Sequence, residues 1–251
     1  MKADDVVTGI MVCWNTKELV ERAYNSVRDC HPNMMIIIVD GSTPVMPCYK
    51  YLNTLRDRNS NVFHMGKNIG HGRGMHFGIE NTETPFALMF DSDIMMKKSP
   101  VQAMLDMMED DTYGVGWIYR TDVTGHEFGS QPQYVDQGPM QYLHPYFCLI
   151  QLKEYRKYRP FMHHGAPATH TMLDIHRKGL ADKVLKEFPG LGHTSGHGLV
   201  WEGRPSEYIQ HDTTPCYVDS HFGGTGAQRV KAGLLHIEGG WEPVTEPVGR
   251  V

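Results

Sequence analysis

Ile36-Ile37-Ile38-Val39 constrains this chain more than any other stretch. Four consecutive β-branched residues leave no polar face, and Pro32 before them with Gly41 and Pro44 after them bound a strand buried on both sides. The run begins at Met34 and closes on Asp40-Gly41-Ser42. Two further apolar runs repeat the pattern: Val6 to Cys13 leads into Trp14-Asn15-Thr16, and Pro85 to Phe90 leads into Asp91-Ser92-Asp93. After the first run, Asn15 and Glu18 stand at capping-box spacing, and Leu19, Val20, Ala23, Tyr24 and Val27 form one stripe of an amphipathic helix. Strand, helix, strand is a βαβ unit, which requires parallel strands. The fold class that follows is α/β, with a mostly parallel central sheet flanked by helices.

The ends of these strands carry the chemistry. A buried strand that delivers two carboxylates one residue apart where the chain leaves the sheet can hold a divalent cation against phosphate oxygens, which makes Asp91 and Asp93 the first candidates. An Asp-x-Asp triplet alone also caps helices and turns loops, so its neighbours decide. Between the acidic strand ends lies Lys67-Asn68-Ile69-Gly70-His71-Gly72-Arg73-Gly74-Met75-His76-Phe77-Gly78-Ile79. Its glycines allow backbone to approach a ligand, and Arg73 suits a phosphate; the plain alternative is a flexible turn before a helix.

The order of these pieces, Asn15, Asp40-Gly41-Ser42, Asn68 to Gly74 and Asp91-Ser92-Asp93, resembles the family 2 glycosyltransferases of the GT-A fold. The resemblance covers about residues 6 to 100. Trp14, Gly41 directly after Asp40, and His76 depart from the family's usual letters. The resemblance implies a nucleotide-sugar site built from Trp14, Asn15, Asp40, Gly70, Arg73 and Asp91. Asn15 and Asp40 would line the nucleobase pocket, Arg73 would approach the base or diphosphate, and Asp91 would reach the ribose or the metal. It also implies Mn2+ or Mg2+ held by Asp91 and Asp93, with Asp93 the direct ligand. Such enzymes often add a late histidine ligand, for which Cys216 to Gly226 offers His221, with His211 as its substitute.

Composition agrees. At 251 residues and 40% hydrophobic, the chain can bury a core as one Rossmann-like GT-A domain over residues 1–251. Within it, residues 6–100 form the nucleotide-sugar half, 101–225 the acceptor side and 226–251 a tail. A net charge of -5 gives no electrostatic reason to bind nucleic acid. Lys153 to Arg159 reads as a solvated helix face. Five cysteines, Cys13, Cys30, Cys48, Cys148 and Cys216, show no paired spacing and suggest free thiols. No segment has the apolar length of a membrane span, and the N-terminus lacks the features of a signal peptide, so the expectation is a cytoplasmic enzyme.

The second half is less legible. Residues 113–117 and Tyr146 to Leu152 read as strands, with loops around a short strand from Tyr119 to Pro145. A helix is expected from Pro167 to Gly179, carrying His170, Asp174 and Arg177 at helical spacing. Many family 2 enzymes place a Glu-Asp pair near this helix start, its Asp being the base that deprotonates the acceptor. Ala166-Pro167-Ala168 stands there, which leaves Asp174, His164 and His170 as candidates. His193 and His197 have i, i+4 spacing, but Gly196 argues against a helix and no Glu completes a zinc-protease site. The resulting expectation is metal-dependent, inverting transfer of a sugar from a nucleoside diphosphate sugar to a glycan or other hydroxyl acceptor. Nucleotidyl transfer and plain carbohydrate binding are the alternatives.

Overall fold

The computed structural model describes residues 2–56, 59–121, 140–162, 166–191 and 206–211. Its elements run α1 (Ala3–Val6), β1 (Val7–Cys13), α2 (Lys17–Cys30), β2 (Met35–Asp40), α3 (Pro47–Leu52), β3 (Ser60–His64), α4 (His71–Glu80), β4 (Phe86–Asp91), β5 (Ile94–Met96) and α5 (Val101–Asp106). Then follow β6 (Gly114–Thr121), β7 (Met140–Gln151), α6 (Leu152–Tyr155), α7 (Thr169–Arg177), α8 (Ala181–Val184), β8 (Leu185–Glu187) and β9 (Ile209–His211).

Seven strands form one sheet in the order β3-β2-β1-β4-β7-β6-β8, while β5 and β9 make a separate pair. The three apolar runs become the parallel neighbours β2, β1 and β4, as their two-sided hydrophobicity requires. Ile10, Met11, Ile36, Ile37, Ile38, Leu88, Met89 and Phe90 are all essentially inaccessible to water. β7 enters antiparallel to both β4 and β6, so the sheet is mostly but not wholly parallel.

Three local expectations change. The helix after β1, α2, has no capping box: its N-cap is Thr16, without a side-chain cap bond, and Asn15 sits at φ 55 with its N–H donated to Ser42 Oγ at 2.8 Å. The glycines of the Gly-rich run serve packing more than looping, because Gly72, Gly74 and Gly78 lie inside α4 on its buried side. A Cβ on Gly74 would stand 2.7 Å from Val12 Cγ1, and one on Gly78 2.5 Å from Ile10 Cγ2, so only glycine lets α4 lie this close to β1. The strands of the second half are longer than their patterns suggest. β6 reaches Thr121 and β7 starts at Met140, so both run into the span expected to be loops around a short strand. Their register breaks between Gly116 and Ile118, opposite His144 to Phe147 of β7. Pro145, which has no N–H to give a ladder, fits that irregularity.

The helix expected to begin at Pro167 starts at Thr169 and closes on Gly179, whose N–H donates to His176 O. At the opposite end of the domain, His31 Nδ1 meets Asp4 Oδ1 at 2.7 Å and its Nε2 meets Ser99 Oγ at 2.5 Å, tying α1, the end of α2 and the entry to α5 together. Among the described residues no helix is long and apolar enough to cross a membrane.

Candidate functional site

Register puts the polar strand ends side by side. Cys13 pairs with Asp40 and Val12 with Asp91, so Asn15, Asp40 and Asp91 share the carboxyl edge of three adjacent parallel strands. That edge is where open α/β sheets bind ligands. Just past it, β5 pairs with β9 through Ile94 opposite His211, which carries His211 to the acidic triplet.

Asp91, Asp93 and His211 form the tightest cluster there, each offering a donor atom within 4.8 Å of the others. His211 Nε2 lies 3.1 Å from Asp93 Oδ1 and 3.5 Å from Asp91 Oδ2. His71, the first residue of α4, brings Nε2 to 3.1 Å from Asp91 Oδ1. The Tyr146 ring stacks on His211 at 4.9 Å between centroids and 17° between planes, fixing the imidazole's orientation. Arg22 on α2 donates to the Asp93 carbonyl at 3.2 Å, holding the triplet's backbone.

The charges follow. Burial works against ionising Asp91, but His71 and His211 more than offset it and hold its carboxyl well below the usual range. Burial likewise opposes charge on His211, yet Asp93 and Asp91 outweigh it and push the imidazole up to about 10. Two carboxylates thus share one imidazolium. A divalent cation bound by the same atoms would replace that proton, and two carboxylates with one imidazole form an N/O donor set suited to Mn2+ or Mg2+.

The other residues expected at the site are placed as follows. Asp40 is fully buried: Oδ1 accepts the Ser42 N–H at 2.9 Å, and Oδ2 meets His64 Nδ1 at 2.8 Å. Its carboxylate therefore faces inward, toward β3, while Trp14 packs over Gly41, where an added Cβ would meet its Cδ1 at 3.2 Å. Gly70 caps α4 at φ 84, its N–H bonded to Asn68 Oδ1 at 2.9 Å. Arg73 is half-buried, and its Nε is buried with no hydrogen-bond partner among the described residues.

Asp174 stands apart from this edge. Arg159 donates Nε to Oδ1 and Oδ2 at 3.0 Å, Nη2 to Oδ1 at 2.7 Å and its backbone N–H to Oδ2 at 3.0 Å. Those bonds, led by the guanidinium, lower its pKa and weaken it as a base. His170, one turn earlier on α7, is half-buried, and its carbonyl accepts from the same guanidinium at 3.4 Å. His164 and His221 lie outside the described residues, whereas His211, the substitute for His221, lies beside Asp91 and Asp93.

His71, His64, Arg22 and Tyr146 were missed by sequence reasoning. His71 lay inside the Gly-rich run and could have been noticed for its place at a helix start. His64 and Tyr146 follow only from strand order, and Arg22 from the docking of α2 against the acidic triplet.

A sequence profile of glycosyl transferase family 2 matches residues 8–174, about two-thirds of the chain. No curated protein gives a match. Among solved structures, the chain is similar to a mannosyltransferase, PcManGT, from Pyrobaculum calidifontis in complex with GDP-Man and Mn2+, at 16% identity and a TM-score of 0.54, over 73% of this chain and 54% of that one. It is also similar to TarS residues 1–349 from S. aureus, at 14% identity and a TM-score of 0.53, over 86% of this chain and 63% of that one. The chain thus spans between half and two-thirds of the length of these structures. At such identities the likeness concerns the fold.

Proposed function

Because the chain belongs to glycosyl transferase family 2, we propose that it transfers a sugar from a nucleoside diphosphate sugar to an acceptor hydroxyl, with inversion and with the help of Mn2+ or Mg2+. The observation that carries the reading is the cluster of Asp91, Asp93 and His211 at the carboxyl edge of the parallel strands. The Pyrobaculum mannosyltransferase, which shares the fold, is a complex with GDP-Man and Mn2+, and that supports a nucleotide sugar and a cation here.

In this reading Asp93, Asp91 and His211 hold the cation, which supplies positive charge to the leaving diphosphate. Arg73, at the start of α4, would add a guanidinium to the same anion. His71 keeps Asp91 ionised and oriented. Trp14, Asn15, Gly70 and the Asp40 turn shape the base and ribose side, with Asp40 acting through Ser42 and the strand end it anchors. The candidates for the acceptor's proton are Asp174, His170 and His164. Asp174 has its carboxylate committed to Arg159, so the test of the base begins with His170. The cytoplasmic location expected from the free thiols belongs to the same proposal, as does a glycan or other hydroxyl compound as acceptor.

The test is calorimetric titration with a panel of nucleoside diphosphate sugars, with and without Mn2+ or Mg2+, followed by assay of sugar release. Binding of at least one donor that strengthens with the cation, and slow donor hydrolysis, are the expected results. Cation-independent sugar binding without nucleotide would point to a carbohydrate-binding protein, and release of diphosphate from a nucleoside triphosphate to nucleotidyl transfer.

A further inference from the structure

Cys13, Asp40 and Cys48 form a second cluster whose donor atoms lie within 4.8 Å of one another. It is separate from the acidic triplet in its donors. Cys13 ends β1, Asp40 ends β2 beside it, and Cys48 comes from the first turn of α3. The three are almost inaccessible to water, at 4%, 0% and 1%.

Two features set this cluster apart from ordinary buried thiols. The first is a buried carboxylate whose ionic partner among the described residues is an imidazole, His64, with Nδ1 2.8 Å from Oδ2. Asp40 is fully buried, yet no Lys or Arg pairs with it among the described residues; its partners are the Ser42 N–H, the Cys13 thiol at 3.7 Å and His64. A buried anion without a firm cation is costly to keep, and a metal ion is one way to offset it. The second is the pairing of the sulfurs. Cys13 Sγ and Cys48 Sγ, from β1 and α3, lie within 4.8 Å of each other and of the Asp40 carboxylate.

We propose that Cys13, Cys48 and Asp40 form a binding site for a thiophilic divalent cation of the Zn2+ type. Two thiolate sulfurs and one carboxylate oxygen supply three protein ligands and leave a fourth position open, an arrangement such ions accept. Asp40 Oδ1 faces Cys13 and would be the ligand atom, while His64 on Oδ2 orients the carboxylate from outside. His64 is itself held by stacking on Tyr49 at 3.7 Å and by Asn53 at 3.3 Å. On binding, both S–H bonds break, two protons leave to the buffer and two metal–sulfur bonds form. Metal–sulfur bonds of about 2.3 Å require the donors to draw together slightly, a movement that falls on the short α3.

The experiment uses the full chain, reduced and freed of metal, titrated with Co2+ and then Zn2+. The expected result is a near-ultraviolet thiolate-to-cobalt charge-transfer band that Zn2+ abolishes, with about two protons released per ion bound to the thiol pair. The band should vanish in Cys48→Ser and persist in Asp93→Asn, which disables the oxygen-rich site and leaves the thiols untouched. Absence of the band in the parent protein, or its persistence in Cys48→Ser, would overturn the proposal. Should Cys48→Ser fail to fold, alkylation of the parent protein decides. At a denaturant concentration that opens the buried thiols transiently, Zn2+ should slow the reaction of Cys13 and Cys48 with iodoacetamide, and equal rates with and without Zn2+ reject the site.

Discussion

The parallel β1, β2 and β4 and the antiparallel pair β6 and β7 solve different problems within one sheet. The parallel strands are apolar along most of their length and carry their acidic groups at one edge, where Asn15, Asp40 and Asp91 meet. β6 and β7 instead bury polar aromatic side chains along their faces: Trp117 stacks on Tyr119 at 5.1 Å and on His144 at 5.4 Å, and Tyr146 continues to His211. Burial pushes His144 down to about 3, so it stays neutral and acts as one more ring. The parallel half supplies the charges and the antiparallel half holds one of their partners in place. Acidic groups at strand ends need no long-range help to be recognised, whereas the device that orients His211 exists only after β7 has folded beside β4.

That contrast can be broken from either side, and the acidic edge should give the largest effect. Asp93→Asn removes a charge that the cation needs and should lower transfer by about 10²-fold or more in initial rate while the circular dichroism spectrum is unchanged. Full activity in that variant would remove the edge from the mechanism. On the antiparallel side, Tyr146→Ala should weaken Mn2+ binding by about 10- to 100-fold, the usual cost of losing a residue that orients a metal ligand, and Tyr146→Phe should restore it. Calorimetry with Mn2+ separates the two variants; equal affinity in all three proteins would make the stacking irrelevant.

A third change asks whether the parallel half depends on its close helix packing. Gly78→Ala sets a Cβ against Ile10. Overpacking costs about 1–3 kcal/mol and alanine's better helix propensity returns at most about 1, so the denaturation midpoint should fall. The smallest effect belongs to Asp174→Asn. Arg159 depresses the Asp174 pKa, so the pair stabilises the fold above the ordinary carboxylate range and ceases to do so as pH falls through the lowered value. With Arg159 41% exposed, the contribution should stay below about 1 kcal/mol. Stability of parent and variant should therefore differ at pH 7 and converge in strong acid. If the variant matches the parent in stability but loses transfer, Asp174 is the base after all.

Much of residues 6–100 is readable from the sequence, because its signals are local. A run such as Ile36 to Val39 declares a two-sided strand by composition alone, and Asp40, Asp91 and Asp93 follow their strands directly in the chain. β3 escaped notice since Ser60-Asn61-Val62-Phe63-His64 lies at the sheet's edge and needs little hydrophobicity, yet it delivers His64 to Asp40. Asp174 looked available on its helix for the reason that Arg159, fifteen residues earlier, carries no mark of where its guanidinium will go.

The amino-acid order by itself determined the parallel strands, the helix after the first of them and the acids at their ends, since periodicity and strand termini are properties of neighbouring residues. Only the tertiary structure decided the rest. His211 reaches Asp93 across 118 positions of sequence through the β5–β9 pairing, and Cys13 reaches Cys48 because β1 and α3 converge at one sheet edge. Contacts of that kind depend on how elements dock, and docking is set by the complementary shape of faces such as the glycine side of α4 against β1, which local sequence does not express.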